Sequence, residues 1–239
     1  MKILRTALIL LFFTALVFVF PLSAQDEDED TEDDTTTVED LFLESVEMRV
    51  IGEQAFSDER DMKLNALESI EKMIEEGEIS EGDEEAHYIL ERLSNEGIGI
   101  QLREGKRLVN NFPKVRRDAA KLLGKMGGEQ AKDSLINILL SDPEPMVMAE
   151  AAYALGEIGY SEDGQITQAL SQSILNQSIT TPDNNFAYAA ILSLEKIAEE
   201  KNGIQDPGVF RALIRISQGN YIRTVREKAN EVLDTLASY

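Results

Sequence analysis

A thirteen-residue phrase occurs twice in the middle of this chain, and that repetition constrains the fold more than any other feature. Val115-Arg116-Arg117-Asp118-Ala119-Ala120-Lys121-Leu122-Leu123-Gly124-Lys125-Met126-Gly127 is answered 32 positions later by Val147-Met148-Ala149-Glu150-Ala151-Ala152-Tyr153-Ala154-Leu155-Gly156-Glu157-Ile158-Gly159. In each copy apolar or small residues fall at i, i+4, i+8 and i+11, which puts them on one face of an α-helix. Each copy closes on a glycine, the residue best suited to the positive φ that ends a helix. A helical unit repeated at this spacing stacks against its neighbours to bury its apolar face. The expected fold is therefore all-α, a solenoid of stacked helical hairpins.

The same frame recurs on both sides. Phe186 opens a third copy 39 positions after Val147, Val225 a fourth 39 positions further on, and Met62 an upstream copy 53 positions before Val115. Every copy carries alanine at its fifth position, as Ala66, Ala119, Ala151, Ala190 and Ala229. A small residue there lets a neighbouring helix axis come close, while the larger Ile70, Leu123 and Leu155 fill the space between layers. Tyr153 falls outside that alternation. Partner helices are expected between the copies, at 129–141, 164–179 and 206–219. Earlier helices are expected from about Val38, then at 59–77 and 83–95. Asp142-Pro143 and Asp206-Pro207 read as an N-capping carboxylate followed by a proline suited to the first helical turn, and Thr181-Pro182-Asp183 marks another start.

Two stretches stand outside this pattern. Between Gly97 and Asn111, Ile98, Ile100 and Leu102 alternate, Arg103-Glu104-Gly105-Lys106 can turn, and Leu108-Val109 follow, which reads as a β-hairpin inserted near 98–110. It serves either as a binding element on one face of the stack or as a flap over an exposed edge. At the other extreme, Met1–Ala24 reads as an export signal: Lys2 and Arg5 precede an apolar run from Ala7 to Phe20, and Pro21-Leu22-Ser23-Ala24 ends on a small residue. Residues 25–37 are an acidic tail expected to be disordered, since almost nothing in them can bury apolar area. The solenoid domain is then 38–239.

The residues Asp142-Pro143-Glu144-Pro145, Val147, Ala151-Ala152, Ala154-Leu155-Gly156 and Ile158-Gly159 resemble a HEAT repeat of the short bacterial, phycobilisome-lyase-like kind. So do Val115-Arg116-Arg117, Ala119-Ala120, Leu123-Gly124 and Met126-Gly127. The resemblance is specific over 113–160, fair over 182–238 and weak over 57–97. It implies a scaffold or adaptor that binds through a concave or edge surface. One departure matters: the arginine typical after the valine stands at Arg116 and Arg226 but gives way to Met148 and Ala187, so an Asp–Arg ladder along the stack is interrupted. The chemistry of the lyase members does not carry over, because no pocket motif accompanies the resemblance.

Residue types narrow the function further. His87 is the one histidine and there is no cysteine. The chain also has no serine–histidine–aspartate set, glycine-rich phosphate loop or zinc-binding HExxH motif, so no enzyme, metal or cofactor is expected. Residues 25–97 hold 27 acids against 5 bases, whereas 98–239 hold 18 against 16. Within the second part lies a basic belt: Arg103, Lys106, Arg107, Lys114, Arg116, Arg117, Lys121 and Lys125. It reads either as a recognition surface or as the solvated face of a helix. Acidity overall and the export signal both oppose nucleic acid as a partner. The expectation is an exported, non-enzymatic scaffold or adaptor that binds another envelope protein, without stable membrane insertion once the signal is removed. Two alternatives stand beside it: a ligand-binding or enzyme-accessory protein with a pocket between hairpin and solenoid, and a self-associating envelope component.

Overall fold

The computed structural model describes residues 38–239 apart from Ile100, Tyr160 and Ser161. The expected export signal and acidic tail lie outside these residues. The described helices are α1 (Val38–Phe56), α2 (Arg60–Glu76), α3 (Glu84–Ser94), α4 (Pro113–Met126), α5 (Gly128–Ser141), α6 (Pro145–Ile158), α7 (Gln165–Asn176), α8 (Asn184–Lys201), α9 (Pro207–Gln218) and α10 (Arg223–Ser238). Helix packing sorts α2 to α10 into two layers. In the first, α2, α4, α6, α8 and α10 each pack on the next; in the second, α3, α5, α7 and α9 do the same. The first-layer helices are the five copies of the repeated phrase. The protein is an all-α solenoid.

The register read from the repeat is the packing register. All five fifth-position alanines have no exposed surface, and Ile70, Leu123, Leu155 and Leu194 at the ninth position have none either. Each such leucine or isoleucine contributes about 1.5–3 kcal/mol of burial. Close approach also depends on a position that the sequence reading passed over, the tenth. A Cβ on Gly124 would lie 2.6 Å from the Ala154 Cβ, and one on Gly156 would lie 2.6 Å from the Ser193 Oγ and 2.8 Å from its Cα. These two glycines let α4 meet α6, and α6 meet α8, almost backbone to backbone. The closing glycines behave as expected: Gly127 (φ 75°) and Gly159 (φ 87°) donate their N–H groups to Leu123 and Leu155.

Helix ends follow local chemistry, with one correction. Asp206 caps α9 by accepting from the Gly208 N–H at 2.7 Å, and Asp183 caps α8 by accepting from Phe186 at 2.8 Å. Asp142 does not cap the next helix as expected. That helix begins two residues later, at Pro145 after Glu144, and Asp142 stands at the end of α5 with its side chain buried. The second-layer helix expected to reach 179 ends at Asn176, leaving Ile179 exposed in the loop. The inserted hairpin forms, but later and shorter than the alternation suggested. Strands β1 (Arg103–Glu104) and β2 (Arg107–Leu108) pair antiparallel with Arg103 opposite Leu108, around Gly105 at φ 62°.

Candidate functional site

The basic belt divides once its side chains are placed. Lys121 and Lys125 are exposed on α4, yet both reach back to α2: Lys121 Nζ lies 2.6 Å from the Glu71 carboxylate, and Lys125 Nζ lies 2.7 Å from both Glu71 and Glu75. Hydrogen bonds from Lys121 and Lys125 hold the Glu71 carboxyl below the usual carboxylate range, and bonds to Glu71 and Glu75 push the Lys125 ammonium up. Lys114 and Arg117 both pair with Asp118. Arg103, Lys106 and Arg107 sit exposed on the hairpin, where Arg103 donates to the Gln101 side chain; among the described residues no carboxylate pairs with these three. The tip of the hairpin therefore keeps its positive charge, while the part on α4 is largely neutralised.

Arg116 does not belong to any surface. Its side chain is fully buried, with Nε 2.7 Å from the Asp142 carboxylate. Its Nη1 donates to the Glu96 carbonyl at 3.0 Å and to Asn111 Oδ1 at 2.8 Å. Reading it as part of a recognition belt is corrected: Arg226, at the second position of the repeat in α10, is exposed, whereas in α4 that position faces the interior rather than the solvated side. Lys63 holds the same position in α2 and does the same, with Nζ 3.0 Å from the Glu96 carboxylate and 2.9 Å from the Ala55 carbonyl. Asn110 completes the set, donating to Glu96 Oε1 at 2.7 Å and accepting from the Leu102 N–H at 2.9 Å. Two buried cations, two carboxylates and two amides thus stitch the base of the hairpin to α2, α4 and α5. Lys63 was findable, since it aligns with Arg116 in the repeat; Glu96 and Asn110 had no periodic signal.

Besides a furrow of about 410 Å³ between α2 and α4, lined by Glu68, Glu71, Lys114 and Arg117, the first layer carries two further furrows around α6. One runs between α4 and α6, about 360 Å³, lined by Lys121, Lys125, Glu150, Tyr153 and Glu157. The other, of similar volume, lies across α6, α8 and α10, lined by Tyr153, Tyr188, Leu192 and Ile222. Tyr153 borders both. Tyr153, Tyr188 and Ile222 are 48%, 37% and 57% exposed, so the second furrow is an apolar strip open to solvent. Tyr153 was out of step with the core pattern because it faces outward. Glu150 is half-buried, and it makes no hydrogen bond or ion pair with the described residues. Burial pushes its carboxyl up, against the opposing pull of Arg117 and Lys121. His87 is half-buried in α3 with Nε2 3.3 Å from Ser134 Oγ, a packing contact between second-layer helices.

Comparison with known proteins accords with this architecture. A family model of HEAT repeats matches residues 105–173. Among solved structures, the chain is similar to one in the complex of CpcE and CpcF of phycocyanin lyase from Nostoc sp. PCC7120, with 18% identity and a TM-score of 0.53. That match covers 80% of this chain and 65% of the other, so less than two thirds of that protein's length is represented. At such identity the likeness establishes the fold. No match was found among curated proteins.

Proposed function

We propose, from the premise that residues 105–173 are HEAT repeats within an all-α solenoid, that this protein is a non-enzymatic scaffold or adaptor, exported from the cytoplasm, that binds another protein along the outer edge of its first helix layer. The observation that carries the reading is the strip formed by Tyr153, Tyr188 and Ile222. Large apolar side chains from three successive repeats remain open on one edge while their neighbours are buried. Aromatic residues grouped beside charged groups are the composition of protein-binding surfaces, where a few such anchors supply most of the affinity. The structurally similar protein is part of a complex of two proteins, which supports a protein partner here. Export rests on the sequence of residues 1–24.

A photo-crosslinking residue at Tyr188, in the full chain expressed in its source cell, tests the reading. The expected result is one dominant heteromeric adduct, absent when the same residue replaces Asn230 on the polar outer side of α10. Only self-adducts, or none, would overturn it. Intact-mass measurement of the cell-envelope fraction tests export: the expected species begins at Gln25, and a chain retaining Lys2 and Arg5 overturns that part.

A further inference from the structure

Glu150 poses a physical problem that its own protein leaves unsolved. A half-buried carboxylate without a hydrogen-bonded partner is disfavoured, because solvent is partly withdrawn and only the more distant charges of Arg117 and Lys121 offset the loss. The cations nearby are committed elsewhere. Lys121 and Lys125 turn to Glu71 and Glu75, Arg117 turns to Asp118, and Glu157, two turns along the same helix, already holds Lys196 at 3.2 Å. One turn beyond Glu150 on α6, Tyr153 stands half-exposed at the boundary of the two furrows. A carboxylate that feels Arg117 and Lys121 only at a distance, with no hydrogen bond of its own and an open aromatic ring beside it, is an arrangement that can receive a lysine or arginine side chain, by charge-assisted hydrogen bonding and cation–π attraction together.

We propose that the furrow between α4 and α6 is a subsite for a basic side chain of the partner protein, received by Glu150 and Tyr153, and that the adjoining furrow at Tyr188 and Ile222 takes an apolar side chain from the same segment. The proposal rests on the protein-binding reading and adds the chemistry of the bound segment. Charge selects the occupant. An anion entering the furrow would meet Glu150 and Glu157 and would have to displace Glu71 and Glu75 from the lysines. Neighbouring helices in a layer lie about 8–10 Å apart. The two side chains should therefore be about 10 Å apart, or three residues along a polyproline-II segment rising ~3.1 Å per residue, in which residues i and i+3 share a face.

Side-chain NMR of the full chain, labelled at glutamate carboxyls, tyrosine rings and isoleucine methyls, tests this with three probes. N-acetyl-arginine amide should give saturable shifts at Glu150 and Tyr153. The peptide acetyl-Gly-Arg-Ala-Ala-Leu-Gly-amide should bind more tightly and add shifts at Tyr188 and Ile222. N-acetyl-glutamate amide should leave the furrow unmoved. E150Q should weaken the peptide at least fivefold while its unfolding midpoint does not fall. Shifts spread evenly over exposed carboxylates, a titration indifferent to E150Q, or saturable binding of the glutamate probe beside Lys121 would overturn the proposal. The broader reading fails separately: if Tyr188 crosslinks persist unchanged in E150Q, the protein interface stands and only the cation subsite is lost.

Discussion

The four seams between first-layer helices fall into two kinds, although all are made from the same repeated phrase. The inner two, α4–α6 and α6–α8, close through glycine: Gly124 against Ala154, and Gly156 against Ser193, whose hydroxyl donates to the Ala152 carbonyl at 2.7 Å. The α6–α8 seam also carries the Lys196–Glu157 pair at 3.2 Å, but among the described residues the outer two have no such glycine contact and close through charge. At α2–α4, Glu71 and Glu75 hold Lys121 and Lys125, and the Lys63–Glu96–Arg116–Asp142 network lies beneath; at α8–α10, Lys228 reaches Glu195 at 2.7 Å. Glu195 occupies the tenth position, where the inner seams have glycine. With a long side chain there, the backbones stay further apart and an ion pair spans the gap. The comparison shows that a repeat conserves its core positions while its seams are rebuilt according to what the tenth position allows.

The largest effect expected from breaking this contrast lies in the buried network. Arg116→Met removes one partner of a fully buried pair and leaves Asp142 uncompensated, so it should cost about 3–5 kcal/mol in urea unfolding. A loss under 1 kcal/mol would mean that the network adds little to the α2–α4 seam. Next come the glycine seams. Gly156→Ala must push Ser193 aside and should cost about 1–3 kcal/mol. Gly82→Ala, with open space around its Cβ, is the control and should be near neutral. Equal melting temperatures for the two variants would remove the distinction between inner and outer seams.

Smaller effects should follow at the exposed ion pairs. Glu71→Gln should cost at most about 1 kcal/mol, because the pair is partly solvated and screened, and less as salt rises. Its pH dependence has a definite sign. The folded carboxyl titrates below its ordinary value near 4.5. Its contribution is therefore complete above that value and disappears as pH falls through the lowered folded one. The difference in urea midpoint between wild type and Glu71→Gln should shrink from pH 6 to pH 3; a constant difference would assign the effect to packing. The smallest change belongs to Arg223→Ala. Its pair with Glu227 lies within exposed α10 and crosses no seam, so no change in melting temperature is expected.

Much of this fold was legible before any coordinates. The helices at 60–76, 84–94 and 113–126 fall within two residues of the sequence expectation, because a 3.6-residue period, capping acids and closing glycines are local signals. Asp206 caps as read and the start marked by Thr181-Pro182-Asp183 is capped by Asp183; Asp142 misses the cap because the helix starts two residues later, at Pro145, and its carboxylate binds Arg116 and the Glu144 N–H instead. The belt misled for a related reason. Sequence proximity counts Arg116 with Lys121 and Lys125, but adjacent residues on a helix point in different directions, and only the stacked neighbours decide which of them meets water.

From the sequence alone came the all-α class, the five-copy repeat, the alanine positions that face the interior, and a hairpin set into the longest interval. Periodicity carries such information because each residue's neighbours three and four positions away share its face. Only the tertiary structure decided that Gly124 and Gly156 are points of backbone contact, that Glu96 and Asn110 join Lys63 and Arg116 in one buried network, and that Glu150 faces a furrow without a partner. Each of these depends on residues tens of positions apart, brought together by the stacking of one helix on the next. No local pattern encodes that distance.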